Sequence, residues 1–343
     1  MHIKLKALAE QTIVITGASS GIGLATARRA AHQGARVLLA ARNEQSLRET
    51  VEELRSHGAQ AHYRVVDVAD FEAIEQLAEW ARAELGGFDT WVNNAGVSMY
   101  GEITGVPLAD ARRLFDTNYW GVVHGSLAAL PVLRERGGAL INVGSVVGER
   151  AMPLQGHYSA SKHAVKGFTD ALRMELEKAE APVSVTLIKP GAIATPYPEH
   201  ARNYMDVEPT NPPPLYDPQV VAQAILACAE KPVRDMVVGA GGAITAGLGK
   251  LAPRTTDRVM ERTLFDQQRT DEPTSIARPD SLYGSAEAGR ELGSYDGAHI
   301  MRRSAYTSAR LHPLATLLTA GALALLATGG VRLLARGGGP GGR

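Results

Sequence analysis

TIVITGASSGIG, residues 12–23, is an apolar, β-branched run that passes into three closely spaced glycines. Its first five residues have the length and composition of a buried strand, and residues 23–33 have the apolar spacing of a helix. Gly17, Gly21 and Gly23 therefore fall in a strand-to-helix turn. Glycines there allow a tight bend and let an anion approach the backbone, while amides at the helix N-terminus point towards that anion. The stretch predicts a pyrophosphate site, although purely structural turns use glycines as well.

The same order of strand and helix continues to about residue 240. The further strand-like segments are apolar almost throughout, which is typical of a sheet covered on both faces. They are ARVLLAAR (35–42), AHYRVVDV (61–68), DTWVNNAG (89–96), GALINVGS (138–145), VSVTLIKPG (183–191) and DMVVGAG (235–241). Alternation of this kind predicts an α/β fold, a doubly wound (Rossmann) parallel sheet of about seven strands with helices on both faces. Ligands of such sheets bind beyond the carboxyl ends of the strands.

The composition narrows the function classes. The 343 residues carry no net charge, so the basic footprint of a nucleic-acid-binding protein is absent. The single cysteine, Cys228, excludes an intrachain disulfide and lies in an apolar helical pattern, where we interpret it as a small buried side chain. No signal peptide is recognisable, because the first apolar run is short and leads straight into the glycine turn. We expect a cytoplasmic catalytic body.

The whole sequence divides into four parts. Residues 1–250 would form the catalytic domain, and residues 251–310 a weakly structured extension or linker. Within the extension, TTDRVMERTLFDQQ (255–268) could be one more helix, whereas residues 268–310 have no sustained apolar period and would form a linker or a loose surface wrap. Residues 311–336 would form a hydrophobic helix, and residues 337–343 (GGGPGGR) a flexible tail.

The apolar run Pro313–Val331 is 19 residues long and contains no charged side chain. As a helix it would span about 28 Å, close to the roughly 30 Å of a bilayer's hydrocarbon core. Its glycines, threonines and proline offset much of the contribution of its leucines to membrane insertion. A single membrane anchor, a helix docked on protein and an interfacial helix are therefore all open, and the arginines on either side give no orientation.

The residues after the second strand bear on the choice of dinucleotide. An acidic residue at that point would bind the ribose hydroxyls of NAD, whereas Ala41 stands there and Arg42 follows. Because arginine pairs with phosphate, NADP(H) is favoured over NAD(H). Arg42 could also be an ordinary surface arginine, and the nearby Glu44 keeps NAD possible.

Two further strand ends carry candidate cofactor contacts. Asp67 could accept a hydrogen bond from an adenine amino group, with Val68 against the ring. NNAG, residues 93–96, could line the cleft through Asn94, Ala95 and Gly96, or could brace turns only.

YSASK places Tyr158 and Lys162 four residues apart, on one face of a helix. A neighbouring ammonium favours ionisation of a tyrosine, whose ordinary pKa is about 10. The pair alone is weak evidence, but Ser145 ends the preceding strand and Asn118 lies upstream on a helical segment. No histidine has the spacing of a metal ligand, so we expect no metal.

TGASSGIG, DV, NNAG, Asn118, Ser145, Tyr158, Lys162 and PGAIATP occur together in an order that resembles the short-chain dehydrogenase/reductase family, over roughly residues 8–245. The resemblance implies interconversion of a carbonyl and an alcohol by hydride transfer. Tyr158 would be the general acid in reduction and the base in oxidation. Ser145 would hold the substrate oxygen, Lys162 would bind the nicotinamide ribose and lower the pKa of Tyr158, and Asn118 would hold a water chain.

The resemblance also implies a cofactor site made of backbone and side chains from five strand ends and from the helix that carries Tyr158 and Lys162. Its residues would be Gly17, Ser19, Ser20, Gly21, Ile22, Gly23, Arg42, Asp67, Val68, Asn94, Ala95, Gly96, Tyr158, Lys162, Pro190, Gly191, Ile193 and Thr195. A homodimer or homotetramer is implied as well.

The long proline-rich loop after Pro190 resembles a lid and should shape the substrate site. One wall would be formed by Tyr197, Tyr204 and Met205, and the opposite wall by Val147, Met152 and Leu154. These side chains favour a bulky, lipophilic ketone, aldehyde or alcohol. The alternatives are a catalytically silent nucleotide sensor tethered to a membrane, and a membrane scaffold with a vestigial body.

Overall fold

A computed structural model describes residues 3–275, 278–286, 289–295, 297–311 and 316. Seven parallel strands form the central sheet in the order β11-β7-β6-β4-β1-β2-β3. Their bounds are β1 Thr12–Thr16, β2 Arg36–Ala41, β3 Ala61–Val65, β4 Thr90–Asn93, β6 Gly138–Val143, β7 Val183–Pro190 and β11 Asp235–Val238. Short strands in the loops and the extension are β5 Met99–Tyr100, β8 Arg202–Asn203, β9 Val207–Pro209, β10 Leu215–Tyr216, β12 Arg269–Pro273 and β13 Ile300–Met301.

Helices cover both faces of the sheet. They are α1 Gly21–His32, α2 Glu44–Ser56, α3 Phe71–Leu85, α4 Leu108–Phe115, α5 Gly121–Arg136, α6 Gly156–Lys178, α7 Tyr197–His200, α8 Pro218–Glu230, α9 Ala240–Leu251, α10 Pro253–Gln267 and α11 Ala305–Leu311. One core cluster joins the sheet to α1, α2 and α8, and a second joins it to α3, α5 and α6. The doubly wound fold predicted from the sequence is confirmed.

Strand β1 shows why the strands lack an alternating pattern. Ile13 and Ile15 belong to one core cluster, whereas Val14 between them belongs to the other. All three are fully buried, and burying each such side chain stabilises the fold by about 1.5–3 kcal/mol. A strand with apolar neighbours on both faces must therefore be apolar at every position. Cys228 is likewise buried in the first cluster, as expected.

The strand order reverses at β1, which lies between β2 and β4. Loops leaving neighbouring strands part at such a point and open a cleft at the carboxyl edge of the sheet. The glycine turn after β1 lies there, so the fold brings the predicted site residues to a single edge.

Helix α10 lies where the sequence allowed one more helix. The described part of residues 268–310 is more ordered than the linker or loose surface wrap that we expected, because β12 pairs with β9 and β13 with β10. Leu282 and Gln268 are completely buried. Leu282 packs in a cluster with Ala111 and Leu114 of α4, whereas Gln268 bonds to Gln155, so the two positions share no periodic pattern.

The expected hydrophobic helix and tail, residues 312–343, lie outside the described residues apart from Thr316. Among the helices that the structure describes, none combines the length and the apolar character needed to cross a membrane.

Candidate active site

The glycine turn after β1 is packed so tightly that side chains would not fit. A Cβ on Gly23 would lie 2.1 Å from the carbonyl oxygen of Gly17, and one on Gly17 would lie 2.6 Å from the Cα of Ala95. Asn94 fixes the turn by donating from Nδ2 to the carbonyls of Thr16 and Gly17, at 3.0 and 3.1 Å. Asn94 therefore braces the turn and lines the cleft as well.

A cavity of about 200 Å³ lies over this turn and extends to the ends of β2 and β3. Predicted cofactor residues that line it are Gly17, Ser19, Ser20, Gly21, Ile22, Arg42, Val68, Asn94, Ala95, Gly96 and Thr195. A backbone cradle that glycines keep open, at the N-terminus of a helix, fits the pyrophosphate of a dinucleotide.

Arg42 lies at the far end of this cavity, but its guanidinium already has partners. It donates to the carbonyl oxygens of Ser281 and Tyr283, at 2.6 and 3.5 Å. Asp67 accepts hydrogen bonds from the amide of Ala69 at 3.0 Å and from Arg113 at 2.5 Å. Burial raises the pKa of Asp67, but these two hydrogen bonds, together with the positive charges of Arg113 and Arg42, outweigh it and hold the pKa below its usual value. Arg113 had no distinguishing signal in the sequence.

Residues 281–286 and 289–295 of the extension run along the same end of the cleft. Ser281, Ser285 and Ala286 line the cavity. The amide of Gly289 donates to the carbonyl of Ser19 at 2.8 Å, and the amide of Gly21 donates to the carbonyl of Arg290 at 2.9 Å. The extension is therefore part of the cleft's border, which the sequence did not indicate.

Helix α6 carries Tyr158 and Lys162 on one face, as the spacing predicted. The Lys162 ammonium lies 5.7 Å from the centre of the Tyr158 ring and donates to the carbonyl of Val143 at 3.0 Å. Lys162 is only 4 % exposed, and burial lowers its pKa to about 8. The Lys162 ammonium can donate further hydrogen bonds to a polar ligand, because the carbonyl of Val143 takes up only one of its three N–H donors.

Ser145 follows β6 and faces Tyr158. Its hydroxyl accepts a hydrogen bond from the amide of Val147 at 3.2 Å, which fixes the side chain at the start of a helical turn. Burial raises the pKa of Tyr158, while hydrogen bonds with Tyr197 and Ser145 act in the opposite direction. The sequence led us to expect this second influence from Lys162, whose ammonium is directed to Val143 instead.

Asn118 lies in a π-helical turn, Asp116–Trp120, between α4 and α5. Such turns are frequent at functional sites. Its side chain is fully buried, accepts from the amide of Val97 at 2.8 Å and donates to the carbonyl of Val97 at 2.9 Å and to Ser161 at 3.1 Å. Asn118 thus ties the loop after β4 to α6, and the water chain that we expected there stays a prediction.

A second cavity, of about 150 Å³, joins the cleft over the glycine turn to the side chains of Ser145, Tyr158 and Lys162. It is lined by Ser145, Tyr158 and Lys162 together with Pro190, Gly191, Ile193 and Thr195, and it shares Ile22, Asn94, Gly96, Thr195 and Tyr197 with the first cavity. The three groups that the sequence proposed for proton and oxygen chemistry therefore meet beside the dinucleotide cleft.

A third cavity, of about 250 Å³, continues outward from the second and is largely apolar. Val147 and Met152 line both, as predicted for the substrate wall. Met260 and Leu264 of α10 form its far side together with Pro212, Pro213 and Pro214. Met260 and Leu264 are four residues apart and therefore lie on one face of α10. This spacing is only a weak indication of a buried face, because most residues around them in the sequence are polar.

The other predicted wall residues are placed differently. Tyr197 lines the site, but the hydroxyl of Tyr204 donates to Asp110 outside it. Met205 and Leu154 pack into a small separate cluster with Tyr100 and Ala201. The reason is that β8 pairs with β5, which turns this part of the loop away from the cavity.

Among the described residues, no group of three His, Cys, Asp or Glu side chains could hold a metal ion.

A parallel sheet whose carboxyl edge joins a dinucleotide cleft to a Ser–Tyr–Lys cluster defines an oxidoreductase of the doubly wound α/β class. The sequence profile of the short chain dehydrogenase family matches residues 11–205. The chain belongs to the short-chain dehydrogenase/reductase family and is an oxidoreductase of that family.

Three similar proteins agree with this assignment. An uncharacterized oxidoreductase, YxnA, of Bacillus subtilis (strain 168) is 47% identical over 315 residues, which cover 91% of this chain and 88% of that protein. An alcohol dehydrogenase of Thermococcus sibiricus, solved with 5-hydroxy-NADP, is 25% identical with a TM-score of 0.59, covering 66% of this chain and 95% of that one. A short chain dehydrogenase/reductase of Burkholderia phymatum, solved with NAD, is 26% identical with a TM-score of 0.62, covering 79% and 100%. Since one neighbour holds an NADP derivative and the other NAD, the fold accepts either dinucleotide.

Proposed function

We propose that the protein interconverts a lipophilic ketone or aldehyde and the corresponding alcohol, with NADP(H) and with Tyr158 as general acid and base. The observation that carries this proposal is the cavity in which Ser145, Tyr158 and Lys162 meet, because it opens to the dinucleotide cleft on one side and to an apolar cavity on the other. A dinucleotide, a lipophilic substrate and a proton donor could therefore meet in this one cavity.

The bound nicotinamide would supply or accept the hydride, and the chain's own groups would handle the substrate oxygen. In reduction the Tyr158 hydroxyl gives its proton to that oxygen as negative charge develops on it. Ser145 donates a hydrogen bond to the same oxygen and orients it. Lys162, buried and short of partners, binds the nicotinamide ribose and favours the phenolate that Tyr158 becomes.

The preference for NADP(H) rests on Arg42 at the adenosine end of the cleft. Its guanidinium is held in place by the carbonyls of Ser281 and Tyr283, and these bonds do not use all five of its N–H donors. The 2′-phosphate of NADP(H) would accept hydrogen bonds from the remaining N–H donors of Arg42. Glu44, the alternative ribose ligand, begins α2 behind Asn43 and does not line the cavity.

Turnover distinguishes this proposal from a silent nucleotide sensor. The purified full chain is expected to consume NADPH with bulky, lipophilic ketones or aldehydes, and to have a higher kcat/KM for NADPH than for NADH. Absorbance of the reduced nicotinamide reports both quantities. Tight NADPH binding without turnover of any carbonyl in a broad panel would favour the sensor, and a preference for NADH would refute the interpretation of Arg42.

The apolar cavity beyond Tyr158 predicts how substrate size matters. Met260→Trp would fill part of its far side, so kcat/KM for long or bulky ketones should fall at least about 10-fold, since overfilling a packed site costs about 1–3 kcal/mol. A small ketone should be affected far less. Val259→Trp is the matched control, because Val259 is 55 % exposed on the same helix. Equal losses for small and large ketones would contradict the assignment of this cavity.

We also propose a homodimer or homotetramer and, through the run 313–331, an association of the cytoplasmic body with a membrane. Exposed Leu127 on α5 and Met174 on α6 support a contact between copies. The membrane proposal is supported by the uncharged sequence of the run alone, and a docked or interfacial helix remains the alternative.

A further inference from the structure

A second tyrosine, Tyr197, contacts the catalytic one. It begins α7, and its ring meets the Tyr158 ring edge-on with 5.5 Å between the ring centres. Its hydroxyl accepts a hydrogen bond from Ser98 at 2.6 Å and donates one to Oε1 of Gln155 at 3.0 Å. The same hydroxyl also lies close enough to Tyr158 to affect its ionisation, and it lowers the pKa of Tyr158 while burial raises it. The sequence suggested only an apolar wall for Tyr197, and the reaction described so far does not use its hydroxyl.

A buried pair of glutamines fixes the orientation of this group. Gln268, at the end of α10, is 0 % exposed and donates from Nε2 to the carbonyls of Pro153 and Leu264, at 3.0 and 2.8 Å. Its Oε1 therefore faces Gln155, which is 3 % exposed and donates to it from Nε2 at 2.7 Å. Gln155 is left with its oxygen towards Tyr197. Every hydrogen bond in this chain is therefore donated in the same direction, from the active site towards the extension: Tyr197 donates to Gln155, Gln155 to Gln268, and Gln268 to the two carbonyls.

The direction of this chain matters because a tyrosine hydroxyl has only one proton. While Tyr158 is neutral, the proton of Tyr197 satisfies Gln155. When Tyr158 has given its proton to the substrate oxygen, its phenolate becomes the stronger acceptor, since hydrogen bonds to an ionised group are roughly twice as strong as neutral ones. Rotation about the C–O bond of Tyr197 then suffices to bring its proton to Tyr158, and no covalent bond of Tyr197 breaks.

We propose that Tyr197 is a positioning residue that stabilises the Tyr158 phenolate, with Gln155 and Gln268 holding it in place. The inference rests on the proposed function, because it presumes that Tyr158 gains and loses a proton during turnover. On this proposal the extension has two roles. It lines the substrate cavity through α10, and through Gln268 it helps to orient the hydroxyl that stabilises the Tyr158 phenolate.

Other ionisable side chains lie near these two tyrosines. Lys162 comes from α6, Tyr100 on β5 lies 6.3 Å from Tyr197 between ring centres, and Tyr204 packs in the cluster that Tyr158 borders. All three are unchanged in a Tyr197 variant. A difference between the pH profiles of parent and variant therefore isolates the hydroxyl of Tyr197.

Tyr197→Phe tests the proposal in the direction of alcohol oxidation, where Tyr158 must be ionised to act as base. Loss of a hydrogen bond to the phenolate should raise the pKa of Tyr158. The acidic limb of the pH profile of kcat should therefore shift by about one pH unit towards higher pH. Oxidation at neutral pH then falls about 10-fold and recovers towards the parent rate at high pH. Reduction at neutral pH, which needs protonated Tyr158, should change only a few-fold. Tyr204→Phe is the matched control, since its hydroxyl bonds to Asp110, and it should leave the profile in place.

A uniform loss at every pH, or an unshifted profile, would overturn the proposal. If Tyr197→Phe does not fold, as judged by its thermal transition and NADPH binding, Gln268→Met decides the question. This variant frees Gln155 from its imposed orientation and should shift the profile in the same direction by a smaller amount, whereas an unshifted profile overturns the proposal. If Tyr158→Phe itself retains activity, the proposed function fails as well. If it is inactive and these profiles do not move, only the present inference fails.

Discussion

Tyr158→Phe is expected to lower kcat for carbonyl reduction at least about 10²-fold, the usual range for loss of a general acid. The ring remains, so its contacts with Tyr197 and the cavity are largely preserved. The variant loses only the proton that the substrate oxygen takes up and the hydrogen bonds with Ser145 and Tyr197. NADPH should still bind, because the glycine turn and Lys162 are untouched. Single-turnover reduction, with NADPH binding followed separately by fluorescence, measures both effects.

The control for this variant is again Tyr204→Phe, which removes a hydroxyl from a tyrosine outside the cavity. It should keep the parent kcat within a few-fold. A Tyr158→Phe enzyme with near-parent turnover would show that another group, or water, delivers the proton, and the mechanism proposed above would then be wrong.

Lys162→Met is expected to abolish most activity and yet to stabilise the protein without cofactor. The ammonium is buried, and the pKa of about 8 means that the folded state disfavours its charge by roughly 3 kcal/mol at neutral pH. Methionine removes this cost but leaves the carbonyl of Val143 without its partner, so the free energy of unfolding should rise by about 1–2 kcal/mol. Urea unfolding of the protein without cofactor measures the gain, and turnover should fall about 10²-fold or more.

The stabilising effect should depend on pH in a defined direction. The folded-state pKa of Lys162 is lowered, so the unfolded chain binds more protons between pH 8 and the ordinary lysine value. The parent therefore gains stability as the pH rises through this range, and the advantage of Lys162→Met should shrink there while staying constant below pH 8. Lys166→Met is the control, since Lys166 pairs with Asp170 one turn further along α6. A destabilised Lys162→Met protein would contradict this account.

The fold and the meeting of Ser145, Tyr158 and Lys162 in one cavity could be predicted because their causes are local. TIVIT must be apolar on both faces, and the turn after it needs glycine, because an added Cβ on Gly23 would lie 2.1 Å from the carbonyl oxygen of Gly17. Tyr158 and Lys162 are one helical turn apart, so helix geometry alone brings them together. Ser145 comes at the end of a strand, and the parallel sheet delivers it to the same edge.

The parts that could not be predicted depend on distant segments meeting. Gln155 and Gln268 are separated by 113 residues, and neither differs in its neighbourhood from an ordinary surface glutamine. Tyr197 and Tyr204 share one loop, yet only the pairing of β8 with β5 decides which of them faces the cavity. The same holds for Met260 and Leu264, whose burial depends on where α10 docks.

Helix α10, which lines the third cavity, follows Ser145, Tyr158 and Lys162 in the sequence, and this separation is useful for changing the substrate. Ser145, Tyr158 and Lys162, which we propose to act on substrate and cofactor, all come before residue 239. Met260 and Leu264 on the far side of the third cavity come after it, as does Gln268. Changes at Met260 or Leu264 can therefore alter which carbonyl is accepted without touching the reacting groups. Residues 253–267 are the place to exchange or randomise when a new substrate is wanted. A fragment cut after β11 would keep Ser145, Tyr158 and Lys162, but it would lose both this part of the cavity wall and the hydrogen bond from Gln155 to Gln268.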